Sequence, residues 1–403
     1  MIGTPVCFAR VTSLVAVVAS LCSMSVAEAS ATPNDLAGFK VSLRRDLDAY
    51  LKDRSLAEHL SSLSLSVSLG RSQPTINVMA GTTKYRGGRP VAPTDLYQIG
   101  SNTKAFTAVA ILQLEAQGRL SIDAPLGDYL PQYPAYRKLT LRRLLDMTSG
   151  LESYDNTAAW GRSYARAPAA NVSSDALIRL VYPKMKYAPG SKYSYSNTGY
   201  LLAQEVVAAR SKSKSYDAEI ARIIASVGLR NTFYTSHLYP PAIARRVVAG
   251  YYENDDAGFG KCLGQDMSGY SLSWAQGAGS IVSTPEDLIA WARALYQGTS
   301  LLPPRQKKEL LSLISVKTAK PLAAPTADDP AGFGLGVAAR KDQLGSYWFY
   351  QGETLGFRAA HLYFPDFDLV VSLFANSRPV ESKSDLHKLF IRIYSTIKAR
   401  GKS

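Results

Sequence analysis

The order of segments along these 403 residues predicts an α/β (α+β) fold. In it an antiparallel sheet is flanked by helices and carries an inserted all-α domain. Three observations lead there. Leu63-Ser64-Leu65-Ser66-Val67-Ser68-Leu69 alternates strictly and stops at Gly70, as a strand does, and residues 75–80 supply its partner. From about 131 to 265 the character changes to prolines, tyrosines and short helical patterns. After that, strand-like runs return at 333–339, 346–351, 357–364 and 368–374, closed by a helical pattern over 384–398. The expected layout is a signal over 1–29, a sandwich domain from 30–130 and 266–403, and a helical domain over 131–265.

Each element has its own warrant. Leu36, Phe39, Leu43, Leu47 and Tyr50 or Leu51 recur at helical spacing, so residues 35–52 should form an amphipathic helix. Ala105 to Leu112 continues as an apolar helix ending near Gly118. Thr140–Leu145 and Asp175–Val181 read as short helices, and Tyr200–Ala209 as an apolar one. Thr284-Pro285-Glu286-Asp287 carries an N-cap threonine, a proline at the first helical position and an acid at the capping-box position, opening a helix that runs to Gly298. Residues 321–330 read as an exposed loop.

Composition narrows the function. Arg10, the apolar run Val11–Leu21 and the small-x-small site Ala27-Glu28-Ala29 read as an export signal, with a mature chain from Ser30. No later segment is apolar enough to span a membrane, so no integral segment is expected once the signal is gone. Cys7 and Cys22 would leave with the signal. Cys262 would then stand alone, and no internal disulfide is expected. The formal charge is +14, but the basic residues are dispersed, which argues against nucleic acid and suits anionic envelope polymers. The sequence holds no G-x-S-x-G elbow, H-E-x-x-H, C-x-x-C or P-loop, and neither a metal nor a cofactor is expected.

The chemistry concentrates at Ser101-Asn102-Thr103-Lys104, where an apolar-glycine approach (Leu96–Gly100) meets the apolar helix. A serine hydroxyl needs an adjacent base to act as a nucleophile. Residues three apart on a helix share a face, so Lys104 points back to Ser101. A lysine in a dry pocket loses its charge and can accept that proton. The tetrad is not unique: Ser211-Lys212-Ser213-Lys214 repeats it in a polar stretch that suits a solvated turn. A second dense stretch, Ala188 to Tyr200, holds Tyr195 and Asn197 around one residue. Tyr195 as tyrosine or tyrosinate could relay a proton, and Asn197 could orient a substrate amide. Two other Y-x-N runs exist, at Tyr154 and Tyr252. The Pro-Gly turn before Tyr195 and the helix after it select this one.

With Leu139–Leu145, Thr148-Ser149-Gly150-Leu151, Gly277-Ala278-Gly279-Ser280 and Ser283–Asp287 added, the chain resembles the serine β-lactamase-like hydrolases. The similarity is to the class C branch, which includes D-alanyl-D-alanine carboxypeptidases, D-aminopeptidases and esterases. The resemblance implies a β-lactamase/transpeptidase-like fold with the site between an α/β sandwich and a helical domain. It implies Ser101 as acylating nucleophile, Lys104 as its base, Tyr195 as proton relay and Asn197 as a substrate contact. The family's third motif, Lys-Thr-Gly or His-x-Gly, falls on Tyr350-Gln351-Gly352 when counted back from Gly356-Phe357. These three are the further substrate-binding candidates, and the backbone N–H groups of Ser101 and Glu353 would form an oxyanion hole. Tyr350 replaces the family's cation. That weighs against β-lactamase activity and tight carboxylate binding, unless a nearby arginine such as Arg358 supplies the charge.

The expected activity is therefore that of an exported serine hydrolase cleaving a small ester or amide through a Ser101 acyl-enzyme. Its substrate would be a small molecule or a peptide, with a D-amino-acid-containing cell-wall peptide as one class. A D-Ala-D-Ala carboxypeptidase, a class C-like β-lactamase, and a catalytically weak envelope-binding or sensor relative remain alternatives.

Overall fold

The computed structural model of the protein describes residues 33–256, 258–380 and 386–400. The expected export signal lies outside them. Three strands come early: β1 (Ser62–Ser68), β2 (Ile76–Lys84) and β3 (Gly87–Pro90). Four short ones follow: β4 (Tyr97–Gln98), β5 (Phe233–Tyr234), β6 (Tyr251–Glu253) and β7 (Ile281–Ser283). The last group is β8 (Leu313–Ser315), β9 (Pro321–Leu322), β10 (Ala331–Phe333), β11 (Ala338–Asp342), β12 (Gly345–Glu353), β13 (Arg358–Phe364), β14 (Leu369–Ala375) and β15 (Ser377–Pro379). Ten of these form one sheet in the order β3-β2-β1-β14-β13-β12-β11-β10-β8-β9, every neighbour antiparallel.

The helices are α1 (Pro33–Glu58), α2 (Thr103–Ala116), α3 (Leu141–Leu145), α4 (Ala158–Arg166), α5 (Ser174–Arg179), α6 (Asn197–Arg210), α7 (Tyr216–Val227), α8 (Pro241–Ala244), α9 (Pro285–Tyr296), α10 (Pro304–Leu311) and α11 (Leu386–Arg400). On one sheet face, Phe39, Leu43 and Leu47 of α1 join Leu389, Phe390 and Ile393 of α11 over Leu63, Leu65 and Val67 of β1. Burying each such side chain contributes about 1.5–3 kcal/mol. The alternate residues of β1, its serines, are also buried. They face α9, whose Arg293 donates to Ser68 Oγ. Small hydroxyl side chains let that helix approach closely. The Leu/Ser alternation thus separates an apolar face from a small polar one, not core from solvent. Beyond this face, Phe106 of α2 stacks on Trp291 of α9 with ring centroids 3.6 Å apart.

Two expectations need correction. The run 333–339 is not one strand. β10 ends at Phe333, and Gly336 at φ +75° helps turn the chain into β11. The loop expected over 321–330 begins with the edge strand β9. Thr284 caps α9 as expected, its side chain accepting from Asp287 N. Among the described residues no helix is long and apolar enough to cross a membrane.

Candidate active site

β4 delivers the chain to a tight turn, Gly100–Asn102, from which α2 departs. Ser101 sits in this 3-10 turn and not in the α-helix itself. The turn nests against the end of β12, and two glycines make that approach fit. A Cβ on Gly352 would lie 1.9 Å from Ile99 O and 2.7 Å from Ser101 N. A Cβ on Gly100, whose φ is +49°, would lie 2.7 Å from Glu353 N. No L-side chain fits either place. The backbone nitrogens of Ser101 and Glu353 therefore meet at one junction.

Asn102 clamps the turn. Its Nδ2 donates to Ile99 O (2.8 Å) and Ala359 O (3.0 Å), leaving Oδ1 to accept from His361 Nδ1 (3.0 Å). His361 Nε2 lies 3.1 Å from Tyr296 Oη. Since Nδ1 must carry the proton, Nε2 accepts from the tyrosine. Complete burial drives the imidazole pKa down to about 3, so His361 is a neutral brace behind the nucleophile. Sequence spacing gave no sign of it.

Lys104 is fully buried at the start of α2. Its Nζ lies 3.0 Å from Ser101 Oγ and donates at 2.8 Å to Ala278 O. The rings of Tyr195 and Tyr200 lie 4.8 and 5.4 Å away. Desolvation lowers its pKa to about 7, with the negative charge of Asp155 pulling the other way. Ala278 belongs to the Gly277-Ala278-Gly279 run, so that motif supplies the lysine's second partner.

Tyr195 Oη donates to Ser101 Oγ at 2.5 Å. Its ring is open to the cleft, while its hydroxyl is crowded by Ser101 and Tyr350. Burial at that end holds its pKa above the ordinary tyrosine range, so it is a neutral phenol near pH 7. The tyrosinate alternative does not fit this environment. Asn197 is the first residue of α6, not part of an extended loop. Its Nδ2 donates to Asp155 Oδ2 at 2.7 Å, while Asp155 also accepts from Ser153 Oγ. Thr198 Oγ1 donates to Glu152 O at 2.7 Å and accepts from Tyr154 N at 3.0 Å. The 152–155 turn and the start of α6 are thereby locked together.

Ser101, Tyr195, Asn197, Gln351 and Glu353 all line one cleft of about 790 Å³. Strand parity and pairing explain the β12 residues. β11 pairs only with residues 345–349 of β12, leaving 350–353 one free edge beside Ser101. Gln351 faces the opening. Tyr350 does not line the cleft. It is buried, with its ring edge-on to Phe333 at 6.0 Å and its hydroxyl beside that of Tyr195 but outside hydrogen-bond geometry. Direct contact between Tyr350 and a substrate, expected from the third motif, is not what the structure places there. Arg358 does not supply the missing cation either. It is fully buried away from the cleft, donating to Glu58 Oε2 (2.7 Å) and Ser377 O (2.8 Å).

Residues missed by the sequence complete the cleft: Asp155, Asp256 and Arg378, with an aromatic wall of Tyr154, Trp160 and Trp274. Asp155 lies in one of the rejected Y-x-N runs, so its motif was visible and its placement was not. Among the described residues, no cluster of three metal-binding side chains occurs.

Comparison with known proteins gives the family and the fold. Penicillin-binding protein 4* of Bacillus subtilis (strain 168) is 28% identical over 214 residues, 52% of this chain and 47% of that protein. The chain spans about half the length of that relative. A D-stereospecific amidohydrolase from Streptomyces sp. superposes with TM-score 0.71 at 25% identity, covering 87% of this chain and 97% of the other. The D-amino acid amidase of Ochrobactrum anthropi SV3 shares the fold, with TM-score 0.75 at 21% identity over 90% of this chain and 99% of its own. The Beta-lactamase family model matches residues 29–394. With that match spanning most of its length, the chain belongs to the Beta-lactamase family.

Proposed function

We propose that the protein cleaves a small amide or ester of an amino acid through a Ser101 acyl-enzyme. The observation that carries this is the convergence of Lys104 Nζ and Tyr195 Oη on one oxygen, Ser101 Oγ. Neutral Lys104 keeps its N–H on Ala278 O and takes the Ser101 proton as Oγ attacks the substrate carbonyl. The oxyanion gathers donors from the Ser101 and Glu353 backbone, where preorganised N–H groups act without reorganisation. Tyr195 hands a proton to the departing amine or alcohol and is reprotonated through Lys104. Water then attacks the ester, its proton returns by the same route, and the acid product leaves.

The substrate class follows from charge. The expected cation of the third motif is absent, and Asp155 brings a carboxylate to the wall with only hydroxyl and amide donors upon it. That wall suits a free ammonium group, as on an unacylated amino-acid amide or ester. The D-stereospecific and D-amino-acid relatives support D-configuration, and a D-amino-acid cell-wall fragment fits the export proposed from residues 1–29. Penicillins and cephalosporins, which carry a carboxylate, should be poor substrates.

Intact-mass spectrometry with a fluorophosphonate tests the nucleophile: one adduct on the wild type and none on Ser101→Ala. An adduct on both would sink the assignment. A panel of D-amino acid amides, D-Ala-D-Ala peptides, short-chain esters and a chromogenic β-lactam tests the substrate. Turnover confined to the β-lactam would overturn the class proposed.

A further inference from the structure

Arg378, on β15, is the cationic side chain among the described residues that line the cleft. Both of its functional edges are occupied. Nη1 forms an ion pair with Asp256 Oδ2, and Nε lies 3.5 Å from Glu353 Oε2. The guanidinium also stands over the Tyr252 ring, 5.9 Å from its centroid. Each carboxylate is itself supported: Asp256 Oδ2 accepts from Tyr252 Oη (3.2 Å), and Glu353 Oε1 from Gln351 Nε2 (2.9 Å). Arg378 cannot shed its charge, because the paired carboxylates hold its pKa above the ordinary value.

A guanidinium grips a carboxylate through a fork of parallel N–H groups. Here Glu353, two residues along β12 from Gln351, takes the Nε side, and Asp256 takes the outer end. A substrate carboxylate lying along the free edge of β12 would find that outer nitrogen engaged and two negative charges beside it. We propose that Asp256 is a specificity-determining residue: it occupies Arg378 and so turns away substrates that end in a free carboxylate. The cleft contains a carboxylate-binding fork that the protein keeps closed with its own side chain, selectivity by repulsion of the wrong ligand. This rests on the hydrolase reading above, and its test is arranged so that the two can fail separately.

The chemistry-free arm uses Ser101→Ala protein, full length, and measures binding of D-alanyl-D-alanine and of its C-terminal amide by titration calorimetry. Asp256→Asn should raise the acid-to-amide affinity ratio about tenfold or more, the discrimination expected when a charge-assisted hydrogen bond becomes available. Adding Arg378→Gln to Asp256→Asn should return the ratio to that of the parent. The catalytic arm compares kcat/KM for D-alanyl-D-alanine and its C-terminal amide with Ser101 intact, and the same ratio should move in the same direction. An unchanged affinity of Asp256→Asn for the amide, with the parent's circular dichroism, shows that the variant is folded, so that its ratio reads the fork alone. A binding ratio unchanged by Asp256→Asn, or a rise that survives Arg378→Gln, overturns the proposal even if hydrolysis is observed. Failure of turnover with an intact shift in binding would instead count against the hydrolase reading.

Discussion

Lys104 meets a hydroxyl and a carbonyl oxygen, and no carboxylate bonds it. Burial strips water from this cation, and that desolvation lowers its pKa to about 7. The sign for activity follows. Below that value Lys104 is protonated and cannot accept the Ser101 proton, so kcat/KM for an uncharged ester should fall about tenfold per pH unit on the acid side and level off above about 8. Asp155 raises this pKa, so Asp155→Asn should move the acid limb to lower pH. A stopped assay across pH 5–9 reads both, and a flat profile would remove Lys104 from the role of base. The sign for stability also follows. The folded pKa lies below the unfolded 10.5, so the unfolded chain binds more protons between the two values, and this group's contribution to stability rises with pH across that window. Lys104 and Tyr195 act on the same oxygen, so Lys104→Ala and Tyr195→Phe should be non-additive, the double mutant little worse than the worse single. Additive losses in log kcat/KM would show that they do not share a relay.

Among the elements, α1 is joined to the sheet by a buried ion pair as well as by its apolar face. Glu58, at the end of α1, accepts from Arg358 of β13 and from Ser377 Oγ of β15, with both charged side chains almost wholly buried. Breaking a buried pair by removing one of its members typically costs about 3–5 kcal/mol. Glu58→Gln should therefore lower stability by that order in chemical denaturation, while the fluorophosphonate still labels Ser101 in the folded fraction. A loss under about 1 kcal/mol would show that this pair contributes little to the hold on α1. The junction of β12 with the nucleophile turn is the other joint that matters. It depends on Gly100 and Gly352, and the alternation of β12 sends Gln351 and Glu353 toward the cleft and Tyr350 behind Tyr195.

Across the whole molecule, charge is distributed unevenly. The chain carries +14, yet its cleft is lined by Asp155, Asp256 and Glu353 against Arg378. A net positive charge favours encounter with anionic polymers, and the proposed preference of the cleft is for cationic or neutral groups. The described structure is held by its two apolar clusters and not by disulfides: Cys262 is free and buried, and burial raises its thiol pKa. The thiol is thus an inert packing group. The melting temperature should be the same with and without reductant, and a drop on reduction would reveal a bridge between chains.

Local spacing was enough to bring Ser101 and Lys104 together, because one helical turn juxtaposes residues three apart whatever surrounds them. Tyr195 and Asn197 were legible from a turn and a helix start, and β1 and β12–β14 from alternation and apolar runs. Which polar side chains join the cleft was not legible. Arg358 and Arg378 both stand on late strands, but one is buried against Glu58 and the other pairs with Asp256, 122 positions earlier. Asp155 becomes part of the site only because the 152–155 turn is bonded to the start of α6, 42 positions away. Sequence pattern fixes what neighbours along the chain must do. The partner of a charge, and therefore the preference of the cleft, is decided by contacts between distant segments, which only the packing of the sheet, α2 and α6 brings into reach.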